Sequence, residues 1–151
     1  MVSVFRRYFI RHMNALRVAA WGIPAAPRSG PVIVYSNHPS WWDAAVYILA
    51  ADRFFPNYES YAPIDAEMLT RYRIFGRIGA FGVDLHSARG AAGFMRTGAD
   101  ILASPDRALW ITAQGRFADV RERPLGLKPG IAHLVEVVPD CLVIPLGIEY
   151  G

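Results

Sequence analysis

The chain has 151 residues, of which 53% are hydrophobic, so it is long enough for one domain with a substantial core and short for two. The formal net charge is +3, and because Lys128 is the one lysine, the positive charge comes from arginine, whose guanidinium suits anionic partners. A single cysteine, Cys141, excludes a disulfide framework and is interpreted as a buried structural thiol. The sequence has neither the ligand spacing of a metal site nor a motif of nucleic-acid-binding domains, so we expect no metal and no nucleic-acid partner.

Residues 1 to 21 are predicted to form one basic amphipathic helix. Its apolar face carries Phe5, Phe9, Met13, Leu16 and Ala20, and arginines occupy the flank and the opposite side at Arg6, Arg7, Arg11 and Arg17. The arginines interrupt the apolar stretch too often for a transmembrane helix or a secretory signal. The helix either lies in a membrane interface, with Trp21 in the acyl boundary, or faces the core with a solvated arginine side. The basic bias favours the first interpretation and predicts a peripheral protein on the cytoplasmic face of a membrane.

Composition divides the chain into an amphipathic segment at 1–22, a proline- and glycine-rich linker at 23–31, and an α/β domain at 32–151. Strands are predicted at 32–35, 58–64, 79–85, 108–112 and 141–148, and helices at 43–50, 67–78, 87–103 and 131–138. This alternation predicts an α/β fold with a mostly parallel central sheet flanked by helices and preceded by the N-terminal amphipathic helix. Pro63 is expected at a strand end or on an edge strand, because proline cannot donate to a ladder.

The polar stretch Asn37–Asp43 follows an apolar strand and precedes a helix. Such a turn lies at the carboxyl edge of a sheet, where ligands of open α/β folds bind. His38 and Asp43 are five residues apart, so on one helix they would point about 140° away from each other. They can meet only across a turn, and Pro39 followed by Ser40 as a helix N-cap supplies one.

Two interpretations of His38 and Asp43 follow from their chemistry. A histidine beside an aspartate suits general-base catalysis, since the carboxylate fixes the tautomer and stabilises the imidazolium formed when a hydroxyl proton is taken. An alcohol would then attack an acyl carbonyl directly. Alternatively, Ser40 and Asp43 have the spacing of a capping box, in which Asp43 only satisfies helix N–H groups and His38 is a turn residue. The local residues leave both interpretations open.

The pattern of Asn37, His38 and Asp43 after a hydrophobic strand resembles the glycerolipid acyltransferase family typified by lysophosphatidate acyltransferase. Later blocks resemble the family's in the same order, at Gly79 to Leu85, Thr112 to Phe117, Lys128 with Gly130, and Val143 to Pro145. The resemblance implies that His38 is the base on an acceptor hydroxyl and that Asp43 orients it. It also implies an acyl thioester of coenzyme A or acyl carrier protein as co-substrate, membrane lipids as partners, and no permanently bound cofactor.

The later blocks also depart from the family pattern. Gln114 stands where the family has glutamate, Leu85 where it has an arginine, and Arg116 and Phe117 where it has threonine and arginine. The resemblance assigns acceptor or phosphate binding to Arg116, Gln114, Gly115 and Lys128, and support of the motifs to Asn37, Ser40 and Gly79. The expected acceptor is a lysophospholipid, or a lipid with a hydroxyl or sugar and no phosphate.

Two other functions stay open at this point. One is a non-catalytic lipid-binding module of the same fold, and the other is a hydrolase that releases fatty acid from a thioester. Intact His38 and Asp43 favour catalysis. Because family members continue beyond the last block, we expect part of the sheet edge or of the acyl pocket to be missing here or supplied by a partner.

Overall fold

The computed structural model describes residues 2–23 and 29–151, and the predicted linker falls largely outside them. Five parallel strands form one sheet in the spatial order β3-β2-β4-β1-β5. The strands are β1 (Val32–Ser36), β2 (Glu59–Asp65), β3 (Ala80–Val83), β4 (Arg107–Thr112) and β5 (Leu142–Leu146). The α-helices are α1 (Val2–His12), α2 (Asp43–Phe54), α3 (Ala66–Arg71), α4 (Ala88–Leu102) and α5 (Gly130–Val137). The predicted α/β class, parallel sheet and N-terminal helix are confirmed.

The two central strands, β1 and β4, are buried on both faces of the sheet. Successive side chains of a strand point to opposite faces, so Val34 and Trp110 join the core on the α2 side while Ile33 and Leu109 join the core against α4 and α5. Burial on both faces explains why these strands are continuous apolar runs. The register pairs Ser36 with Thr112, which brings the carboxyl ends of β1 and β4 side by side.

The expectation for Pro63 is wrong, because Pro63 lies inside β2, and β2 lies between β3 and β4. Pairing of β2 with β4 covers residues 59–61, whereas pairing with β3 covers residues 62–65. The Ala62 N–H donates to the Gly79 carbonyl, on the β3 side, so the nitrogen of Pro63 faces the β4 side beyond the last paired residue. No ladder hydrogen bond is lost there, and the proline is tolerated in an inner strand.

The predicted helix over residues 1 to 21 is too long. Helix α1 ends at His12, and a 3₁₀ turn at Ala20–Gly22 follows an irregular segment. The buried side chain of Phe9 packs α1 onto the protein, while Leu16 and Val18 are exposed and gain nothing from a continued helix. Short helices depend on such packing for their stability, which explains the early end of α1.

Another predicted helix, at 67–78, is divided into α3 and a 3₁₀ helix at Arg73–Ile78. Tyr72 lies between them in a non-helical conformation, in a stretch of aromatic, β-branched and glycine residues with low helix propensity. The following strand is shorter than predicted, and the remaining elements agree with prediction to within a few residues. In the described part of the chain, no helix is both long and apolar enough to cross a membrane.

Candidate active site

His38 and Asp43 meet across the turn at the end of β1, as predicted. The Nδ1 atom of His38 lies 2.6 Å from Oδ2 of Asp43, whose side chain is almost fully buried at the start of α2. Since an ionised carboxylate only accepts hydrogen bonds, Nδ1 carries the proton and Nε2 is the acceptor nitrogen of the neutral ring. Within residues 2–23 and 29–151, no hydrogen bond engages Nε2.

A third residue, Tyr150, completes this arrangement and was not predicted from the sequence. Its hydroxyl donates to Oδ1 of Asp43 over 2.6 Å, so both carboxylate oxygens are paired. Burial, together with the hydrogen bond to Asp43 and the charge of that residue, raises the pKa of the Tyr150 hydroxyl. Tyr150 lies 107 residues from Asp43 in the chain, and no local pattern signals the contact.

Asn37 fastens the segment that carries Tyr150. Its Nδ2 donates to the Ile148 carbonyl and its Oδ1 accepts from the Ile148 N–H, each over 2.8 Å. The side chain of Asn37 therefore replaces a strand neighbour for the backbone just beyond β5. This gives the predicted supporting role of Asn37 a defined partner.

Ser40 is not the N-cap of α2, contrary to the prediction. The N-cap is Trp42, which has no side-chain capping bond, and the Ser40 Oγ accepts the Trp42 N–H over 3.2 Å within the preceding turn. The Ser40 N–H reaches Oδ2 of Asp43 only over 3.4 Å. This long distance shows that Asp43 contributes little to capping, compared with the short contacts that it makes to His38 and Tyr150.

Gln114 holds the His38 turn (Asn37–Asp43) from the end of β4. Its Oε1 accepts the backbone N–H of His38 and its Nε2 donates to the Leu125 carbonyl, each over 2.8 Å. Gln114 is 3% exposed, so both of its polar groups are used inside the protein. A glutamate there would lack the donor for Leu125, which explains physically why an amide fits this position.

Gly115 and Arg116 lie on the neighbouring Gly115 turn (Ala113–Phe117), and the Lys128 side chain lies against this turn. Gly115 has a φ of 63°, a left-handed conformation that favours glycine, and the flexible Lys128 side chain lies beside it. Arg116 is exposed and paired with Glu122 through both terminal guanidinium nitrogens, Nη1 lying 3.2 Å from Oε2. The hydrogen bonds and charge of Glu122 raise the pKa of Arg116.

An aromatic surface formed by Phe117 and Trp41 lies against His38. The Phe117 ring stacks on the His38 imidazole with centroids 4.2 Å apart, and the Trp41 ring lies 5.3 Å from Phe117. Trp41 is 71% exposed, so the surface is open to a ligand. On the other side of the turn, Trp42 stacks on Tyr8 of α1 at 5.5 Å, which docks the N-terminal helix onto the site.

Three other residues singled out in the sequence lie away from His38. Gly79 precedes β3 at the amino-terminal edge of the sheet, where its φ of 89° and a Cβ contact of 2.1 Å to the Ser60 carbonyl demand glycine. Leu85 follows β3 and is exposed. Cys141 precedes β5, also at the amino-terminal edge, and burial raises the pKa of its thiol to about 11.

The parallel sheet and the His–Asp pair at its carboxyl edge place the protein among open α/β folds, whose ligands bind at the strand ends. A family model, the Acyltransferase family, matches residues 17–149. The chain belongs to this family, which supports acyltransferase activity. Comparisons with curated proteins and with solved structures give no match. Among the described residues, no cluster of His, Cys, Asp and Glu has the arrangement of a metal site.

Proposed function

We propose that the protein transfers a fatty acyl group from the thioester of coenzyme A or acyl carrier protein to a hydroxyl of a lysophospholipid or another lipid acceptor, with His38 as the general base. The observation that carries this proposal is the 2.6 Å contact between His38 Nδ1 and the buried Asp43. It fixes the proton on Nδ1 and leaves Nε2 as the basic nitrogen. The partly exposed ring of His38 is accessible to a substrate.

In the proposed reaction, Nε2 takes the proton of the acceptor hydroxyl as its oxygen attacks the thioester carbonyl. The tetrahedral intermediate then collapses, breaking the carbon–sulfur bond and releasing the thiolate. The imidazolium returns its proton to the thiolate, so the products are an ester and a free thiol. Asp43 stabilises the imidazolium while it carries the extra proton.

A direct transfer is favoured over a covalent acyl-enzyme. The Ser40 hydroxyl accepts the Trp42 N–H, and among the described residues it donates no hydrogen bond to His38. Cys141 lies at the opposite edge of the sheet with a raised thiol pKa. A nucleophilic serine or cysteine needs a base within hydrogen-bond reach. Neither residue has His38 as that base.

Arg116 and Lys128 are the proposed anchors for an acceptor phosphate. Both cations lie on or against the Gly115 turn, next to the end of β1. A phosphate would replace Glu122 as the partner of the Arg116 guanidinium, whose planar donors suit a bidentate contact. The aromatic surface of Phe117 and Trp41 would contact the apolar part of the acceptor or the acyl chain.

Membrane association is proposed from the surface around α1. Exposed apolar side chains lie on α1 and the segment that follows it, at Val4, Ile10, Leu16, Val18 and Trp21. The same helix exposes Arg6, Arg7 and Arg11, which would face anionic headgroups at the cytoplasmic face of a membrane. Phe9 does not contribute, because it is buried against the protein.

The test is acyl transfer from labelled acyl-coenzyme A and acyl carrier protein to lipid acceptors with and without phosphate, with His38→Gln as the matched inactive variant. Removing a general base lowers the rate by about 10²- to 10⁴-fold. Thioester cleavage without any acceptor would indicate a hydrolase. Binding to vesicles without transfer or hydrolysis by the wild-type protein would indicate a lipid-binding module and contradict the proposal.

A further inference from the structure

The Asp43 carboxylate is held by contacts that the acyltransferase motif alone does not explain. Asp43 is 1% exposed, and a buried charge is strongly unfavourable unless it is paired and hydrogen-bonded. The contact with His38 occupies Oδ2, but a neutral imidazole satisfies only one of the two oxygens. The Tyr150 hydroxyl supplies the missing donor at Oδ1.

The geometry of this second contact suits a strong orienting hydrogen bond. The 2.6 Å distance is typical of an O–H group that donates to a charged oxygen. Because the pKa of Tyr150 is raised, the hydroxyl keeps its proton and remains a donor. Because His38 holds Oδ2 and Tyr150 holds Oδ1, the Asp43 carboxylate cannot rotate without breaking a short contact.

The position of Tyr150 is in turn fixed by Asn37. The paired hydrogen bonds between Asn37 and Ile148 hold the backbone two residues before Tyr150. The Ile148 side chain is buried beside Val46 and Tyr47 of α2, and Tyr150 packs against the same cluster. A closed chain of contacts therefore runs from Asn37 through Ile148 and Tyr150 to Asp43 and His38.

We infer that Tyr150 is a positioning residue for the transfer, which orients Asp43 and through it the His38 ring, and that Asn37 acts by placing Tyr150. The inference rests on the acyl transfer proposed above. Tyr150 lies just beyond the residues 17–149 that match the family model, so family membership does not assign it a role. Losing its hydroxyl frees one carboxylate oxygen and lets the imidazole leave the orientation in which Nε2 meets the acceptor.

Tyr150→Phe tests the inference because it removes one oxygen and keeps the ring. We expect kcat to fall about 10-fold, a part of the 10²- to 10⁴-fold effect of a general base, with unchanged KM for donor and acceptor. The matched control is Tyr58→Phe, which removes a tyrosine hydrogen bond to the Gly30 carbonyl at the opposite edge of the sheet. Unchanged kcat in Tyr150→Phe, or a raised KM with kcat retained, would overturn the inference.

A second measurement does not depend on activity. In protein labelled with ¹⁵N-histidine, with His38 assigned through His38→Gln, the wild type should show a protonated Nδ1, and Tyr150→Phe should broaden this signal or mix the tautomers. Tyr58→Phe should not. If the wild type transfers no acyl group, the proposed function fails while this comparison still decides the role of Tyr150, which an unchanged His38 signal would refute.

A double-mutant cycle tests the part assigned to Asn37. If Asn37 acts through Tyr150, the double variant Asn37→Ala/Tyr150→Phe should be no less active than whichever single variant has the lower activity. Fold losses that multiply would show that Asn37 acts independently. Thermal melting of each variant checks that the loss does not come from unfolding.

Discussion

The turns that follow β1 and β4 lie side by side at one edge of the sheet, but they are held very differently. In the His38 turn, both oxygens of Asp43 are paired and buried, and the His38 backbone is bound through Gln114. In the Gly115 turn, Arg116 is exposed and its partner Glu122 lies on the same loop. Under the proposed function, the first turn keeps a fixed geometry for the proposed base, whereas the cations of the second turn are proposed to exchange one anionic partner for another.

Asp43→Asn should produce the largest effect and act on the first turn alone. The amide would present an N–H to Nδ1 of His38, so Nδ1 would become the acceptor and the ring proton would move to Nε2. Because Nε2 could then no longer act as the base, we expect kcat to fall by about 10²- to 10⁴-fold. The loss should be equal for acceptors with and without phosphate, as measured by initial rates. A loss confined to one acceptor class would place Asp43 in substrate selection instead.

Gln114→Glu should weaken the bridge between the two turns. The carboxylate still accepts the His38 N–H but faces the Leu125 carbonyl without a donor, so we expect a loss of about 1–3 kcal/mol in the free energy of unfolding at pH 7. Protonating the carboxyl restores a donor, so the loss should shrink as the pH falls. Urea unfolding at pH 7 and at pH 4.5, compared with wild type, measures both. Equal losses at the two pH values would contradict the assigned contact.

Glu122→Gln should change only the second turn. Removing the carboxylate frees the Arg116 guanidinium, and since exposed ion pairs are weak, we expect KM for a phosphate-bearing acceptor to fall about 2- to 5-fold with unchanged kcat. Asp119→Asn is the matched control, because it breaks the neighbouring exposed pair with Arg121. The same change for a phosphate-free acceptor would show that Arg116 does not select phosphate.

Cys141 should give the smallest effect, since it lies away from both turns. Its thiol pKa is raised from 9.0 to about 11 in the folded protein, so the stability it contributes is fully present below pH 9 and is lost as the pH rises through 11. Cys141→Ala should therefore lose less stability than wild type between pH 8 and pH 11 in urea titrations. Thiol blocking should leave acyl transfer unchanged, and inactivation by blocking would contradict direct transfer.

The parts of this protein that depend on local sequence were predictable. Buried apolar runs identified β1 and β4, and the turn residues Pro39 and Ser40 correctly predicted that His38 and Asp43 meet, although Ser40 is not the cap. The order of the blocks, matching a known family, favoured catalysis over capping.

Contacts between distant segments were not predictable. Tyr150 and Phe117 are ordinary aromatic residues in the sequence, and only the assembled sheet brings one to Asp43 and the other onto His38. The early end of α1 depends on which of its side chains find a partner on the protein. The tolerance of Pro63 likewise depends on where β4 stops pairing.

The divided pairing of β2 has a consequence for how the molecule opens. Strand β3 is bonded to β2 over residues 62–65, beyond the segment that β2 shares with β4. The backbone hydrogen bonds of the unit formed by α3, the 3₁₀ helix at Arg73–Ile78 and β3 therefore reach the central strands through β2, and Phe81 of β3 packs against the core beside them. Amide protons of this unit are expected to exchange with solvent through local opening, at lower free energy than those of β1 and β4. We therefore expect the β3 edge of the sheet to open locally while the hydrogen bonds of the His38 turn stay intact.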